Sequence, residues 1–192
     1  IEKLGFFALV ISLKAPDVLR TVKAYELLAK KTPYPFHLGV TEAGGEFPGT
    51  IKSSIALGAL LLKGIGDTIR ISLTDDPIKE VRVGWEILKS LGLRERGVKI
   101  VSCPTCARTS IDVFGLVKKI EDLNKEIKKP LTIAIMGCVV NGLGEGREAN
   151  LAIVGAAKTA LIMRDGKVVH QAREKDAFKI FKQELRNYLK VI

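Results

Sequence analysis

The sequence predicts an α/β protein built in two parts, and three observations carry that prediction. Short apolar runs alternate with amphipathic stretches of helical period along most of the chain, the signature of parallel strands joined by crossover helices. Cap and turn residues stand where those elements should change: Pro16, Asp76, Pro77 and the pair Asp165-Gly166. The pattern changes after the polar, helix-terminating segment "LRERG" (93–97), which places a boundary near residue 95 and divides the chain into 1–95 and 96–192.

The elements follow in order. "FFALVIS" (6–12) reads as a buried strand, and a helix near 16–31 follows, with Pro16 in the first turn, where its missing N–H costs nothing. "FHLGV" (36–40) is the next strand, with a helix near 50–63. "DTIRIS" (67–72) is the third, and the helix after it, near 77–91, is opened by Asp76 as N-cap and Pro77 at the first helical position. Beyond the boundary come a strand "VKIVS" (98–102), the loop C-P-T-C, a helix near 112–127 and a strand "LTIAIM" (131–136). "GCVVNGLGEG" (137–146) reads as a glycine-rich loop, and "NLAIVG" (150–155) as a strand. "TALIMRDGKVVHQ" (159–171) reads as a hairpin turning on Asp165-Gly166. In the last helix, about 174–190, Ala177, Phe178, Phe181, Leu185, Tyr188 and Leu189 share one face, which reads as core.

With 47% hydrophobic side chains in 192 residues, the chain can bury one good core or two small ones. No apolar run reaches the roughly 18–20 residues that span a bilayer, since "IALGALLL" (55–62) is stopped by Lys63 and Gly64, so no membrane partner is expected. The chain opens at Ile1 without a methionine and without the basic and apolar regions of a secretory signal, which reads as a cut with an N-terminal portion missing. Three cysteines, two of them in C-x-x-C spacing, do not form the dense even framework of a small secreted domain, and a reducing cytoplasm fits better. The formal charge of +10 would suit nucleic acid or an acidic protein partner, yet the Lys and Arg are interleaved with Glu and Asp as on a solvated surface.

Each strand of the first part ends in a charged or hydrogen-bonding residue: Lys14, Glu42, and Arg70 with Ser72. The intervals are equal, 28 residues (42 − 14 and 70 − 42), which would set these residues at equivalent carboxyl ends of neighbouring strands, where α/β proteins build their sites. A Lys, an Arg and a Ser on one rim suit a phosphate or diphosphate, and leave Glu42 as acid or base. The plain alternative is a set of strand-end residues facing solvent.

Cys103 and Cys106 directly follow one strand and Cys138 another, so two adjacent strand ends could bring the three thiols to one point. A closed metal site needs a fourth ligand, and the candidates are His37, His170 and Glu145, the last seven residues after Cys138 in the glycine-rich segment. A carboxylate is a poor fourth ligand for structural zinc, and makes sense where one iron must stay exchangeable for a substrate oxygen. C-x-x-C alone also fits a redox dithiol or half a zinc site, and a lone cysteine such as Cys138 also fits a core position.

"CPTC", "MGCVVNGLGE", "HLGVTEAG" and "GIGDTIRISL" together resemble the iron–sulfur 4-hydroxy-3-methylbut-2-enyl diphosphate synthases of non-mevalonate isoprenoid biosynthesis. The likeness runs from "ISLKAPDV" through at least "NLAIVG"; Leu143 stands where the family loop commonly has Pro, and Pro16 where it commonly has Ser. The resemblance implies a partial TIM-type (β/α) barrel followed by a smaller α/β (α+β) iron–sulfur reductase-like domain. It implies a 4Fe–4S cluster on Cys103, Cys106, Cys138 and Glu145, with Glu145 also serving catalysis by leaving one iron exchangeable. Lys14, Arg70 and Ser72 would grip the substrate diphosphate, Glu42 would be the catalytic acid–base group, and Asn141 would touch the substrate beside the cluster. The implied reaction is reductive ring opening of 2-C-methyl-D-erythritol 2,4-cyclodiphosphate with loss of water, using two single electrons from ferredoxin or flavodoxin, in a cytoplasmic homodimer.

A closed barrel of this type has eight strands, and three precede residue 95, so the chain reads as the C-terminal part of a longer enzyme, inactive alone. Lys175, Lys179, Lys182, Arg186 and Lys190 on the last helix are candidates for docking an acidic electron donor. Two other readings stay open: a zinc-stabilised basic RNA-binding module with Cys103, Cys106, Cys138 and His170 as ligands, and a metal-free dithiol oxidoreductase using Cys103 and Cys106.

Overall fold

The computed structural model of the chain describes residues 1–124 and 127–191. The chain divides into two compact units, Ile1–Glu95 and Arg96–Ile192. Both are mixed α/β with parallel strand pairing. Among the described residues no helix is long and apolar enough to cross a membrane.

In the first unit a 3-10 turn (Glu2–Leu4) precedes α1 (Val18–Ala29), β1 (His37–Leu38), α2 (Glu46–Leu61), β2 (Thr68–Ile69) and α3 (Pro77–Ser90). Asp76 caps α3 as expected, accepting from the Ile78 amide at 2.8 Å ahead of Pro77, whereas α1 begins only at Val18: Pro16 lies before the helix, and the Asp17 carboxylate is the cap, accepting from the Arg20 amide at 2.7 Å. α2 starts four residues earlier than its expected position, at Glu46. The expected strand at 6–12 does not form. Only Ile11 bridges to Phe36, and Phe6, Phe7 and Val10 stay more than half exposed, because the run has neither a ladder nor a covering layer among the described residues. The core lies between the strands and helices, where Tyr25, Phe36, Leu38, Leu57, Leu60, Ile71 and Ile87 are buried. Tyr25 ties α1 to the strands: its hydroxyl donates to the His37 carbonyl at 2.7 Å and accepts from the Leu13 amide at 2.9 Å.

The second unit is one five-stranded sheet in chain order: β3 (Val98–Ser102), β4 (Leu131–Met136), β5 (Leu151–Ala156), β6 (Thr159–Arg164) and β7 (Lys167–Arg173). β3, β4 and β5 run parallel, while β6 and β7 return antiparallel. The β6–β7 hairpin turns on Asp165 (φ 46°) and Gly166 (φ 79°), the two positive angles of a type I′ turn. α4 (Val113–Asn124) and α6 (Glu174–Val191) cover one face; α5 (Val139–Glu148) covers the other. Residues 125–126 of the helix expected at 112–127 lie outside the described residues. Period-two alternation sorts β4, with Leu131, Ile133 and Ile135 facing the α4–α6 layer and Ala134 and Met136 facing α5.

α5 corrects the reading of 137–146 as a loop. "VVNGLGEG" is helical, and its glycines form a packing stripe: a Cβ on Gly142 would stand 2.4 Å from Val154 and 2.9 Å from Met136, and one on Gly146 2.5 Å from the Met163 sulfur. Glycine at every fourth position, opposite the small Ala134 and Ala152, lets the helix backbone lie directly on the sheet. Packing thus overrides glycine's poor helix propensity.

Candidate functional site

In the first unit the strand register decides which side chains meet. Ile11 opposes Phe36, an offset of 25 residues (36 − 11), and His37 opposes Thr68, an offset of 31 (68 − 37). The equal 28-residue intervals of the sequence are therefore the mean of two unequal offsets. Lys14 and Arg70 fall in one row with Gly39 between them, and Glu42 lies three residues further on, in the loop after β1. The contacts agree, since a Cβ on Gly39 would stand 2.8 Å from the Arg70 carbonyl oxygen and 3.3 Å from Lys14 Cε. One row below are Ser12, His37 and Thr68.

The two faces of this small sheet differ completely. Leu13, Leu38 and Ile69 point to the helices, whereas Ser12, Lys14, His37, Thr68 and Arg70 occupy the opposite face. Short bonds order that face: Lys14 Nζ to Ser12 Oγ at 3.3 Å, Ser12 Oγ to the His37 carbonyl at 3.2 Å, and His37 Nδ1 to Thr68 Oγ1 at 2.7 Å. Burial pulls the Lys14 ammonium below its ordinary value, and the Arg70 charge adds to the effect. Burial likewise lowers His37, with Lys14 and then Arg70 reinforcing it. A polar face carrying mutually repelling cations is suited to an anion.

The loops above this face are laced together. The Thr41 amide donates to the Ala15 carbonyl at 3.2 Å and the Thr74 amide to the Gly44 carbonyl at 2.9 Å. Glu42 holds a left-handed backbone (φ 52°) in the middle of this lacing, a strained conformation for a non-glycine residue, and its side chain is exposed. Ser72 is half-buried one row above Arg70 on the same face. Sequence reasoning weighed His37 only as a metal ligand and passed over Gly39. Their signal was the period of two, which joins Ser12 to Lys14, His37 to Gly39 and Thr68 to Arg70.

In the second unit the pairing of Ser102 with Ile135 sets the ends of β3 and β4 side by side. The Gly137 amide donates to Cys103 Sγ at 3.1 Å, and the Cys103 amide donates to the Ile135 carbonyl at 3.2 Å. Thr105 (φ 66°) reverses the chain between Cys103 and Cys106, and the Thr109 hydroxyl accepts from the Cys106 amide at 3.0 Å. Ser110 fastens this loop to β4, its amide donating to the Gly137 carbonyl at 2.8 Å. Cys138 is the N-cap of α5. All three cysteines are free, and Cys106 is exposed, its thiol held below the ordinary value by the Arg108 backbone amide, with the Arg108 charge adding to it.

Three free thiols at two adjacent parallel strand ends, one already accepting an N–H···S bond, form a soft donor set that fits an iron–sulfur cluster in kind. The set is not closed: among the described residues no group of three or more His, Cys, Asp or Glu side chains is placed to hold a metal ion. Glu145 is exposed on α5 seven residues after Cys138, about 10 Å along the helix axis at 1.5 Å per residue. Asn141 is exposed one turn after Cys138, so the helical period sets Cys138, Asn141 and Glu145 on one face. His170 lies elsewhere, on β7, with Nε2 3.1 Å from the Glu184 carboxylate.

Fold and site together define an α/β protein with an anion-suited polar strand face in one unit and a thiol-bearing pair of parallel strand ends in the other. The family profile described as the GcpE TIM-barrel domain matches residues 1–85, and that of the GcpE protein C-terminal domain matches residues 99–187. Curated relatives include proteins named 4-hydroxy-3-methylbut-2-en-1-yl diphosphate synthase (flavodoxin) from Desulfotalea psychrophila, 51% identical over 97% of this chain and 51% of the relative, and from Geobacter sulfurreducens, 53% identical over 92% of this chain and 50% of the relative. A protein of the same name from Caldanaerobacter subterraneus is 50% identical over 99% of this chain and 54% of the relative. The chain belongs to the GcpE family of these synthases, and it spans about half the length of the curated relatives it matches.

Proposed function

We propose that this chain carries the diphosphate-gripping rim and the cluster-bearing part of a 4-hydroxy-3-methylbut-2-enyl diphosphate synthase, which converts 2-C-methyl-D-erythritol 2,4-cyclodiphosphate by reductive ring opening and loss of water. The observation that carries the proposal is the row Lys14–Gly39–Arg70, a cationic pair on the polar face of parallel strands, in a chain about half identical to synthases of that name. On this reading residues 1–95 are part of a TIM-type barrel whose polar strand face is its interior, and residues 96–192 are a reductase-like cluster domain.

Lys14 and Arg70 hold the diphosphate, with Gly39 leaving room between them and Ser72 adding a hydroxyl one row above. Their charges also favour the leaving diphosphate oxygen, whose negative charge grows as the ring opens. Glu42, presented by its left-handed loop position, exchanges a proton with the departing hydroxyl. Cys103, Cys106, Cys138 and Glu145 would hold a 4Fe–4S cluster, which when bound supplies single electrons and a Lewis-acid iron. Glu145 stands two turns from Cys138 on the same face of α5, and Asn141, between them, would contact the substrate. The relatives' names support flavodoxin as electron donor. The family likeness implies a soluble homodimer.

The zinc-bound RNA-binding alternative has no support, since His170 faces Glu184 on β7 and the matched family is that of a diphosphate synthase. The test is iron, acid-labile sulfide and zinc per chain on protein purified without oxygen. About four irons and four sulfides are expected. Stoichiometric zinc without iron overturns the proposal.

A further inference from the structure

His37 stands on the same strand face as the cationic pair, one row below it, and nothing in the reaction proposed above uses it. Its backbone is fixed by the Tyr25 hydroxyl on its carbonyl at 2.7 Å, and its ring by the Nδ1 bond to Thr68 Oγ1 at 2.7 Å. The charges of Lys14 and Arg70, on the same face, act on the ring. The titratable and charged groups around it are few: Lys14 and Arg70 on its own face, Tyr25 from α1 on its carbonyl, and Asp67 at the foot of β2, whose carboxylate accepts from the Phe36 amide at 2.7 Å. Ser12 and Thr68 beside it are neutral.

We propose that His37 is a proton-linked part of the anion site: when a diphosphate group settles on Lys14 and Arg70, His37 takes up a proton and becomes the third cation of the site. The inference rests on the reading of that row as the diphosphate rim. The physical reason is the geometry of charge. In the free protein a proton on His37 meets partial burial and two neighbouring cations, and its affinity for the proton is lowered. A bound polyanion reverses the dominant local charge, so the proton that was disfavoured becomes favoured. By linkage the anion then binds more tightly as pH falls through the range in which His37 titrates, while above that range the site holds it with Lys14 and Arg70 only. A diphosphate is thereby preferred over a singly charged anion, because only the more highly charged ligand offsets a third positive charge.

The experiment uses the whole 192-residue chain and inorganic pyrophosphate as the probe. The chain has two histidines, so the ring-proton NMR signals of His37 and His170 are separated by comparison with His37→Gln. Binding is followed independently on the 31P signal. With pyrophosphate bound, the His37 midpoint is expected to rise by about one pH unit, equal to a tenfold coupling, while His170 stays in place. The ratio of pyrophosphate affinity at pH 6 to that at pH 8 should be lower in His37→Gln than in the parent. A bound 31P signal with an unmoved His37 midpoint overturns the role of His37 and leaves the rim intact. An unperturbed 31P signal overturns both.

Discussion

The amide of Gly137 donates to the sulfur of Cys103 at 3.1 Å, which lays the end of β4 against the end of β3 and makes one thiol an acceptor before any metal arrives. A Cβ on Gly137 would stand 2.7 Å from the Thr109 hydroxyl, the group that accepts from the Cys106 amide. Gly137→Ala should therefore spread the two cysteine loops. After anaerobic reconstitution its iron per chain should fall well below the parent value, with an unchanged far-UV circular dichroism spectrum showing that the fold survives.

Cys106 should react with iodoacetamide at lower pH than an ordinary cysteine. The thiolate is the reactive form, and a lowered thiol value extends its population downward in pH. Because the Arg108 backbone amide is the leading cause, Arg108→Ala should retain most of the effect. The measurement is the pH dependence of the alkylation rate in a Cys103→Ser, Cys138→Ser chain, and a midpoint at the ordinary value of about 8.5 would refute the expectation.

Gly39→Ala should impair the anion site and also lower stability, because the clash is with backbone. The new methyl group would press on the Arg70 carbonyl oxygen at 2.8 Å, part of the backbone, and on Lys14 Cε at 3.3 Å, a flexible side chain. Pyrophosphate affinity, read from the same 31P titration, is expected to fall about tenfold or more, in line with a misplacement of bidentate contacts costing one to two kcal/mol.

The glycines of α5 should separate into three classes. At Gly142 a methyl group meets the branched Val154 side chain at 2.4 Å and Met136 Cβ at 2.9 Å, so Gly142→Ala should destabilise by about 1–3 kcal/mol. At Gly146 the obstacle is the end of the flexible Met163 side chain, and the loss should be smaller. Gly144 has nothing within 4 Å, so Gly144→Ala should stabilise by about 0.5–1 kcal/mol through helix propensity. Urea denaturation of the three variants gives the order.

Electron transfer from reduced flavodoxin to the reconstituted chain should slow about tenfold or more between low and high salt, as for electrostatically steered encounters. On α6, Lys175, Lys179, Arg186 and Lys190 are exposed, and Lys182 is half-buried. Charge reversal at Lys179 and Arg186 should slow the low-salt rate and flatten its salt dependence. A rate indifferent to both changes would move the donor's docking place away from α6.

Much of the architecture was legible because its signals are local. Asp76 caps its helix with its own carboxylate, and Asp165-Gly166 adopts the two positive φ angles its hairpin needs. The residue types that suit an anion and a soft metal were also legible, as Lys14, Arg70 and the three cysteines. What the chain alone did not disclose is non-local. The strand at 6–12 needed a ladder partner and a covering layer, and apolar character supplies neither. The glycines of 137–146 look like loop residues one at a time, and become a helix face only against Ala134, Ala152 and Val154. The register was hidden for the same reason. Equal 28-residue intervals grouped Lys14, Glu42 and Arg70, while the tertiary structure, through offsets of 25 and 31 residues, set Lys14 and Arg70 across Gly39 and brought His37 beneath them. Sequence determined which chemical groups the strands carry; packing against α1 and α2 decided which of them share a row, because register is fixed by the side chains on the opposite face of the strand.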